Sequence, residues 1–181
     1  MEKLDTVISG SFRKHMEFIK HVINSFKEAG VNVLTPTTTE VVDPSEDFVI
    51  LSTDDPDLAP RKLESNFMRE IAKAKFLYVA NAGGYVGQSA ATEMAYAALK
   101  GVPIVISEVI KEISKDIPPE NHGLFSGIAS EVLPANEISK DSIEELNKKI
   151  NEVKLGLSES QKEQMEKLVK VLLKGLSSKP V

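Results

Sequence analysis

The chain has no cysteine and no tryptophan, and its three histidines are scattered at positions 15, 21 and 122. The absence of cysteine excludes disulfide bonds and metal sites that are built from thiolates. The histidines do not have the spacing of a metal-ligand motif. We therefore expect no metal site and no cofactor.

Basic runs and long apolar runs are also missing. The formal net charge of the 181 residues is -5, whereas a protein that neutralises the phosphates of a nucleic-acid polymer needs an excess of lysine and arginine. No apolar run approaches the length that crosses a bilayer, and the first residues lack the charged-then-apolar order of a signal peptide. We predict a cytoplasmic protein that binds neither a membrane nor a nucleic-acid polymer.

Residues 76–106 carry the clearest structural pattern. They contain, in order, an apolar strand, a glycine loop, a helix and a second apolar strand: Phe76–Ala80; Gly83, Gly84 and Gly87; Ser89–Lys100; and Ile104–Ile106. Ser89 suits the N-cap position, and Gly101 suits the position that follows the last helical turn. This order predicts a β-loop-α-β unit with a ligand-sized opening at the loop.

The rest of the chain also alternates strands and helices. Strands predicted at Thr6–Ser9 and Val31–Leu34 flank a helix with an apolar stripe, which indicates parallel strands with a right-handed crossover. A fifth strand is predicted around Ile128–Val132. We predict one three-layer α/β/α domain over residues 1–181, with a flavodoxin-like (Rossmann-like) parallel sheet of five strands in the order 2-1-3-4-5. The α/β core spans 1–135, and two C-terminal helices occupy 136–181.

Glu93 is the first candidate for chemistry, because no other carboxylate lies between Glu70 and Glu108. It follows the glycine loop near a helix N-terminus, where the helix dipole favours an ionised carboxylate or a bound anion. Two interpretations fit this position. Glu93 faces a ligand in its ionised form, or it only complements the dipole at a solvated helix end. Tyr96, three residues further on, is placed to reach the same carboxylate.

The segment that contains Glu93 resembles a known family. Its residues are Gly-Tyr-Val-Gly-Gln-Ser-Ala-Ala-Thr-Glu-Met-Ala-Tyr-Ala at 84–97, followed by Gly-Val-Pro-Ile at 101–104. They resemble the signature of the nucleoside 2-deoxyribosyltransferase-like group, which includes the 2′-deoxynucleoside 5′-monophosphate N-hydrolases, although Met94-Ala95 stands where Leu-Gly is usual. The resemblance implies that Glu93 is a nucleophile that attacks the anomeric carbon, so that the N-glycosidic bond of a nucleoside or nucleoside 5′-monophosphate is cleaved or transferred.

The turn Gly-Ser-Phe-Arg at 10–13 resembles the Gly-Ser-x-Arg turn with which the N-hydrolases hold the 5′-phosphate. Independently, an arginine at the start of the first helix is well placed to meet an anion; a surface arginine is the other interpretation. Tyr85 is a candidate for stacking on a base, for orienting Glu93, or for packing alone. The full set of candidates is Glu93 and Tyr96 for catalysis, and Gly10, Ser11, Arg13, Asn66, Gly84, Tyr85, Gly87 and Ser89 for substrate binding.

The helix predicted at Leu63–Lys73 departs from the family pattern. The family usually has an aspartate near the position of Asn66 or Phe67 for proton handling or for orientation of the sugar. This chain has Glu64, Asn66 and Glu70 nearby and no aspartate at that place. The departure keeps a second hypothesis open, namely a non-catalytic nucleotide-binding or sensing module on the same fold.

A phosphoribohydrolase-like nucleotide N-glycosidase is a third hypothesis. The segment from Gly83 to Glu93 is loosely similar to the Gly-Gly-x-Gly-Thr-x-x-Glu loop of those enzymes. The missing Gly-Thr pair and the Tyr96-Ala97 dipeptide favour the first family. A scaffold that binds no small molecule is the remaining possibility.

Two further expectations concern the surroundings of the site. Residues 35–61 are predicted to form an irregular loop over it, with Asp54, Asp55 and Asp57 as the nearest additional carboxylates. A homodimer is predicted because the resembled family completes its sites across subunits. The last helix also has a broad apolar stripe, made of Met165, Leu168, Val169, Leu172 and Leu173.

Overall fold

The computed structural model describes residues 3–42, 51–54, 60–153 and 156–177. The strands in these residues are β1 (Asp5–Gly10), β2 (Asn32–Thr35), β3 (Phe76–Ala80), β4 (Tyr85–Val86), β5 (Ile104–Ile106), β6 (Glu112–Ile113) and β7 (Glu131–Val132). The helices are α1 (Phe12–Glu28), α2 (Pro60–Ile71), α3 (Gln88–Leu99), α4 (His122–Ile128), α5 (Lys140–Glu152) and α6 (Glu159–Ser177). None of these helices is long and apolar enough to cross a membrane.

The main sheet is parallel and has five strands in the order β2-β1-β3-β5-β7. Numbered along the chain, these strands have the order 2-1-3-4-5, so the predicted topology is confirmed. The central strands β1 and β3 are in register from Thr6 opposite Phe76 to Gly10 opposite Ala80. The short strands β4 and β6 form a separate parallel pair, which the sequence pattern does not predict.

Helices cover both faces of the sheet and give the predicted three layers. On one face α1 and α5 pack on β1, β2, β3 and β5 through an apolar cluster that includes Ile8, Phe26 and Ile143. On the other face α2, α3, α4 and α6 share a second cluster with Val7, Val79 and further strand residues. The predicted stripe of α1 is confirmed, since its four members are buried: Ile19, Val22, Ile23 and Phe26.

The last helix, α6, is bound to its own chain. Its start carries the reciprocal bonds of a capping box, because the Ser158 amide donates to Gln161 Oε1 at 2.9 Å and the Gln161 amide donates to Ser158 Oγ at 3.1 Å. Its apolar stripe packs on α3 and α2, and four of its five members are buried: Met165, Leu168, Val169 and Leu172. The stripe therefore no longer supports a homodimer, which stays a prediction from the family resemblance.

Two local predictions are wrong. Helix α3 begins at Gln88 with Gly87 as its N-cap, so Ser89 lies within the first turn and does not cap the helix. The fifth strand is only Glu131–Val132, because the residues up to Ile128 belong to helix α4, whose Phe125 and Ile128 are buried. A short apolar run does not distinguish a strand from a buried helix, which explains the second error.

Gly10, at the end of β1, is required by close packing. A methyl group at this position would lie 2.9 Å from the Ala80 carbonyl oxygen and 3.2 Å from Ile19 Cδ1. The first contact involves the backbone of a central strand, which cannot move without disturbing the sheet. Gly10 therefore allows β1, β3 and α1 to approach each other at the carboxyl end of the sheet.

We expect Gly10→Ala to lower the free energy of unfolding by about 1–3 kcal/mol, because the added methyl group overpacks the junction. Urea denaturation followed by circular dichroism measures the change. Gly123→Ala is the matched control, since a methyl group there meets nothing within 4 Å. Equal stability of the two variants would contradict the packing role of Gly10.

Candidate functional site

A cavity of about 260 Å³ opens at the carboxyl ends of β1 and β2. This is the edge at which open α/β sheets bind ligands. Helices α1 and α3 both begin at the cavity, and α2 forms one wall. The lining residues are Gly10–Lys14, Thr35, Leu51, Thr53, Asp54, Leu63, Glu64, Phe67, Tyr85, Gly87–Ala90, Glu93, Ser114 and Asp116.

Two carboxyl groups lie together at the buried base of the cavity. Glu64 of α2 is 3% exposed and Glu93 of α3 is 4% exposed, and each is within hydrogen-bonding reach of the other. Glu64 Oε1 and Glu93 Oε2 are buried and have no hydrogen-bond partner among the described residues. Two unsatisfied carboxyl oxygens on the wall of a cavity are a costly arrangement that the fold alone does not require.

Burial raises the pKa of both groups. The pKa of Glu64 rises from its ordinary value of 4.5 to about 7, because burial outweighs the opposing effect of the neighbouring Glu93 carboxyl group. The pKa of Glu93 is raised well above 4.5 by burial first and then by the charge of Glu64. The two groups titrate as a pair that holds a proton near neutral pH.

This result corrects the expectation that the helix dipole keeps Glu93 ionised. Glu93 is the sixth residue of α3, which begins at Gln88, and the dipole acts mainly within the first turn. At this depth burial and the charge of Glu64 determine the protonation state. The alternative of a solvated helix end is also excluded, since the side chain is buried.

The basic residues Arg13 and Lys14 form the part of the cavity lining that we call the cationic mouth, and the acidic Asp54 and Asp116 line other parts of the cavity. Arg13 and Lys14 are exposed on the first turn of α1, where Ser11 is the N-cap residue but makes no side-chain capping bond. The first turn of α3 lines the cavity beside them. Free amide groups at a helix N-terminus and a neighbouring guanidinium group are the usual ligands of a bound anion.

The loop that leads into α3 is held by hydrogen bonds to Glu108, which lies two residues beyond the end of β5. Asn81 Nδ2 donates to the Glu108 carbonyl at 2.6 Å, and the Glu108 amide donates to Asn81 Oδ1 at 3.0 Å. The Gly83 amide donates to Glu108 Oε1 at 2.9 Å. Gly84 is fixed as glycine, since its φ is +77° and a methyl group would lie 2.6 Å from the Val109 carbonyl oxygen. These contacts position Tyr85 at the cavity.

Tyr85 lies on the side of the cavity next to α1. Lys14 Nζ is 3.9 Å from the centre of its ring, within cation–π distance. The ring is half-buried and part of it faces the cavity. Stacking on a base, orienting Glu93 and packing alone therefore all stay as interpretations of Tyr85.

Seven of the ten candidate residues from the sequence line the cavity: Gly10, Ser11, Arg13, Tyr85, Gly87, Ser89 and Glu93. Three do not. Gly84 packs against the chain after β5, Asn66 accepts a hydrogen bond from Arg69 on the outer side of α2, and Tyr96 is half-buried with Lys100 Nζ 5.5 Å from its ring centre.

Glu64 is the main site residue that the sequence analysis does not select. Its signal is visible in the sequence, because Glu64, Phe67, Met68 and Ile71 are spaced i, i+3, i+4 and i+7 and so share one face of α2. A carboxylate within an apolar stripe is rarely buried without a partner. Asp54 also lines the cavity, as predicted, whereas Asp55 and Asp57 lie outside the described residues.

Further cavity residues come from segments without a recognisable motif, namely Thr35, Ser114 and Asp116. In the part of the chain that the structure describes, no group of three or more histidine, aspartate or glutamate residues is arranged to hold a metal ion.

Comparisons with protein-family models, with curated proteins and with solved structures find no match.

We expect the stability of the folded chain to depend on pH through Glu64. A buried acid with a raised pKa binds its proton more tightly in the folded chain, so its stabilising contribution is complete below the unfolded pKa and is lost as the pH rises through the folded value. For Glu64 that window runs from 4.5 to about 7. The free energy of unfolding of Glu64→Gln should therefore increase by about 3 kcal/mol relative to that of wild type as the pH rises across this window.

Urea denaturation below and above this window measures the difference in unfolding free energy between Glu64→Gln and wild type. Glu70→Gln is the matched control on the same helix, because Glu70 is paired with Lys73 at the surface. If the difference in unfolding free energy between wild type and Glu64→Gln does not change with pH, Glu64 is not a buried acid with a raised pKa.

Proposed function

We propose that this chain cleaves or transfers the N-glycosidic bond of a nucleoside or nucleoside 5′-monophosphate bound in the cavity. The observation that carries the proposal is the buried carboxyl pair, Glu64 and Glu93, on the wall of a cavity of about 260 Å³. Cleavage of a glycosidic bond requires one carboxylate that stabilises or attacks the anomeric carbon and one acid that protonates the leaving group. The resemblance of residues 84–97 to the nucleoside 2-deoxyribosyltransferase-like group supports the same chemistry.

In the proposed reaction Glu93 is the nucleophile. A carboxylate oxygen of Glu93 forms a bond to the anomeric carbon, the bond from that carbon to the base nitrogen breaks, and its electron pair leaves with the base. The proton of Glu64 passes to the base. Water, or a second base, then attacks the anomeric carbon and releases Glu93, and the proton that the attacking group loses returns to Glu64.

Glu64 would take the place of the helix aspartate that the family usually has and that this chain lacks. It lies on α2, the helix in which the family carries an aspartate, and its longer side chain reaches Glu93. Burial raises the pKa of Glu93, so this carboxyl group holds a proton strongly. The proposed mechanism therefore requires the shared proton to move onto Glu64 when the substrate binds. The positive charge that develops at the anomeric carbon favours this movement, since it stabilises an ionised Glu93.

The cationic mouth suits the 5′-phosphate of a nucleotide. Ser11 and Arg13 on α1 and Ser89 in the first turn of α3 face the same cavity, so a phosphate between them meets a guanidinium group, two hydroxyls and helix N-terminal amides. With the phosphate at the mouth, the sugar lies toward the carboxyl pair. The ring of Tyr85 then offers a surface on which the base stacks.

We expect Glu93→Gln and Glu64→Gln each to lower the rate of base release by about 100-fold or more, because each removes one of two groups that act in the transition state. The measurement is chromatography of the free base after incubation with nucleosides and nucleoside 5′-monophosphates, with ribose and with deoxyribose. Glu70→Gln should keep the wild-type rate. Adding a second free base distinguishes transfer from hydrolysis, because transfer yields a new nucleoside.

Retention of turnover in Glu93→Gln, with a wild type that is active, would exclude Glu93 as the nucleophile. Binding of nucleotides without base release by the wild type would favour the sensing module. A thermal-shift screen separates binding from turnover, since a ligand at about 100 times its dissociation constant adds roughly 2.7 kcal/mol of stability.

We expect Arg13→Ala to weaken the binding of nucleoside 5′-monophosphates by about tenfold or more while binding of the free nucleosides changes little, because a charge-assisted hydrogen bond to the phosphate is lost. Isothermal titration calorimetry measures both affinities. Lys27→Ala is the control, because it removes one positive charge from the last turn of the same helix. Equal losses for nucleotides and nucleosides would show that Arg13 does not bind the phosphate.

A further inference from the structure

Ser9 is a polar residue on an apolar face of the sheet. Side chains alternate along a strand, so Ser9 of β1 faces the same side as Val7, which belongs to the core cluster beneath α2 and α3. Its partner across the ladder is Val79, also a member of that cluster. Ser9 is fully buried and does not line the cavity.

The hydroxyl of Ser9 is not used by the fold. Ser9 Oγ is buried and has no hydrogen-bond partner among the described residues. Thr6, on the same strand and equally buried, shows the contrasting case, because its Oγ1 donates to the Phe76 carbonyl at 3.1 Å. A buried hydroxyl without a partner destabilises a protein, and alanine would pack at position 9 without this cost.

The Glu93 carboxyl is the polar group within reach of Ser9. The Ser9 hydroxyl lowers the pKa of Glu93 as a hydrogen-bond donor does. Ser9 Oγ and Glu93 Oε2 are both buried, and neither has another hydrogen-bond partner among the described residues. Glu64 of α2 also acts on Glu93, and its charge raises the pKa of Glu93. The remaining ionisable residues of the cavity lining are Arg13 and Lys14 on α1, Asp54 before α2, and Asp116 after β6.

We propose that Ser9 is a positioning residue whose hydroxyl donates to the Glu93 carboxylate when Glu93 is ionised. The inference rests on the proposed function, in which Glu93 must lose its proton before it attacks. Glu93 Oε2 has no hydrogen-bond partner among the described residues, and the Ser9 hydroxyl offers it a donor from β1. The bond holds one oxygen toward β1 and so leaves the other directed to the substrate.

The first test does not depend on turnover. In Ser9→Ala the pKa of Glu93, followed by carbon-13 NMR of its side-chain carboxyl, should rise relative to wild type, while the midpoint of urea denaturation at low pH stays the same or increases. Thr6→Val is the matched control, since it removes a buried β1 hydroxyl that faces away from Glu93. It should lower the midpoint and leave the titration of Glu93 unchanged. An unchanged Glu93 titration in Ser9→Ala overturns the proposal.

The second test uses the active protein. Ser9→Ala should lower the rate of base release about tenfold on the acid side of the pH profile, with little change in KM, because the lost hydrogen bond stabilised the ionised form of Glu93. Ser9→Thr, which keeps the hydroxyl, should restore the profile toward that of wild type. An active wild type whose pH profile is identical in Ser9→Ala overturns the role of Ser9 and leaves the proposed function intact. A wild type without turnover refutes the proposed function, and the NMR titration still decides whether Ser9 acts on Glu93.

Discussion

The burial of two carboxyl groups against each other is the constraint on which this structure depends. Glu64 and Glu93 come from α2 and α3, and α6 packs on both of these helices. Apart from Thr92 and Glu93, the buried residues of α3 are alanines and Met94. These side chains allow the helix to lie close to the sheet and to α6 at the same time. The same close packing that stabilises the domain thus removes Glu93 from water and raises its pKa.

The backbone around the pair is held by contacts that leave little freedom. Gly10 allows β1 to lie against β3, and Asn81 joins the end of β3 to the end of β5 through Glu108. These contacts fix the two turns from which α1 and α3 begin.

The sequence predicts the sheet order and most of the site because those features are encoded locally. The glycine loop, the stripe of α1 and the capping box of Ser158 and Gln161 each depend on residues a few positions apart. Glu64 and Glu93 are 29 positions apart in the chain and belong to different helices. Their pairing depends on how these helices pack and on how deeply the two side chains are buried. The position of Glu93 near a helix N-terminus therefore predicts an ionised side chain, whereas its burial in the folded chain favours the protonated form.

The separation of charge along the cavity gives it a direction. Arg13 and Lys14 are exposed at one end, and Glu64 and Glu93 are buried at the other. The proposed nucleotide would therefore meet attraction for its phosphate at the exposed end of the cavity. A reversed nucleotide would bring its phosphate against the buried carboxyl pair. Charge alone would thus select one orientation of the proposed substrate before its shape is tested.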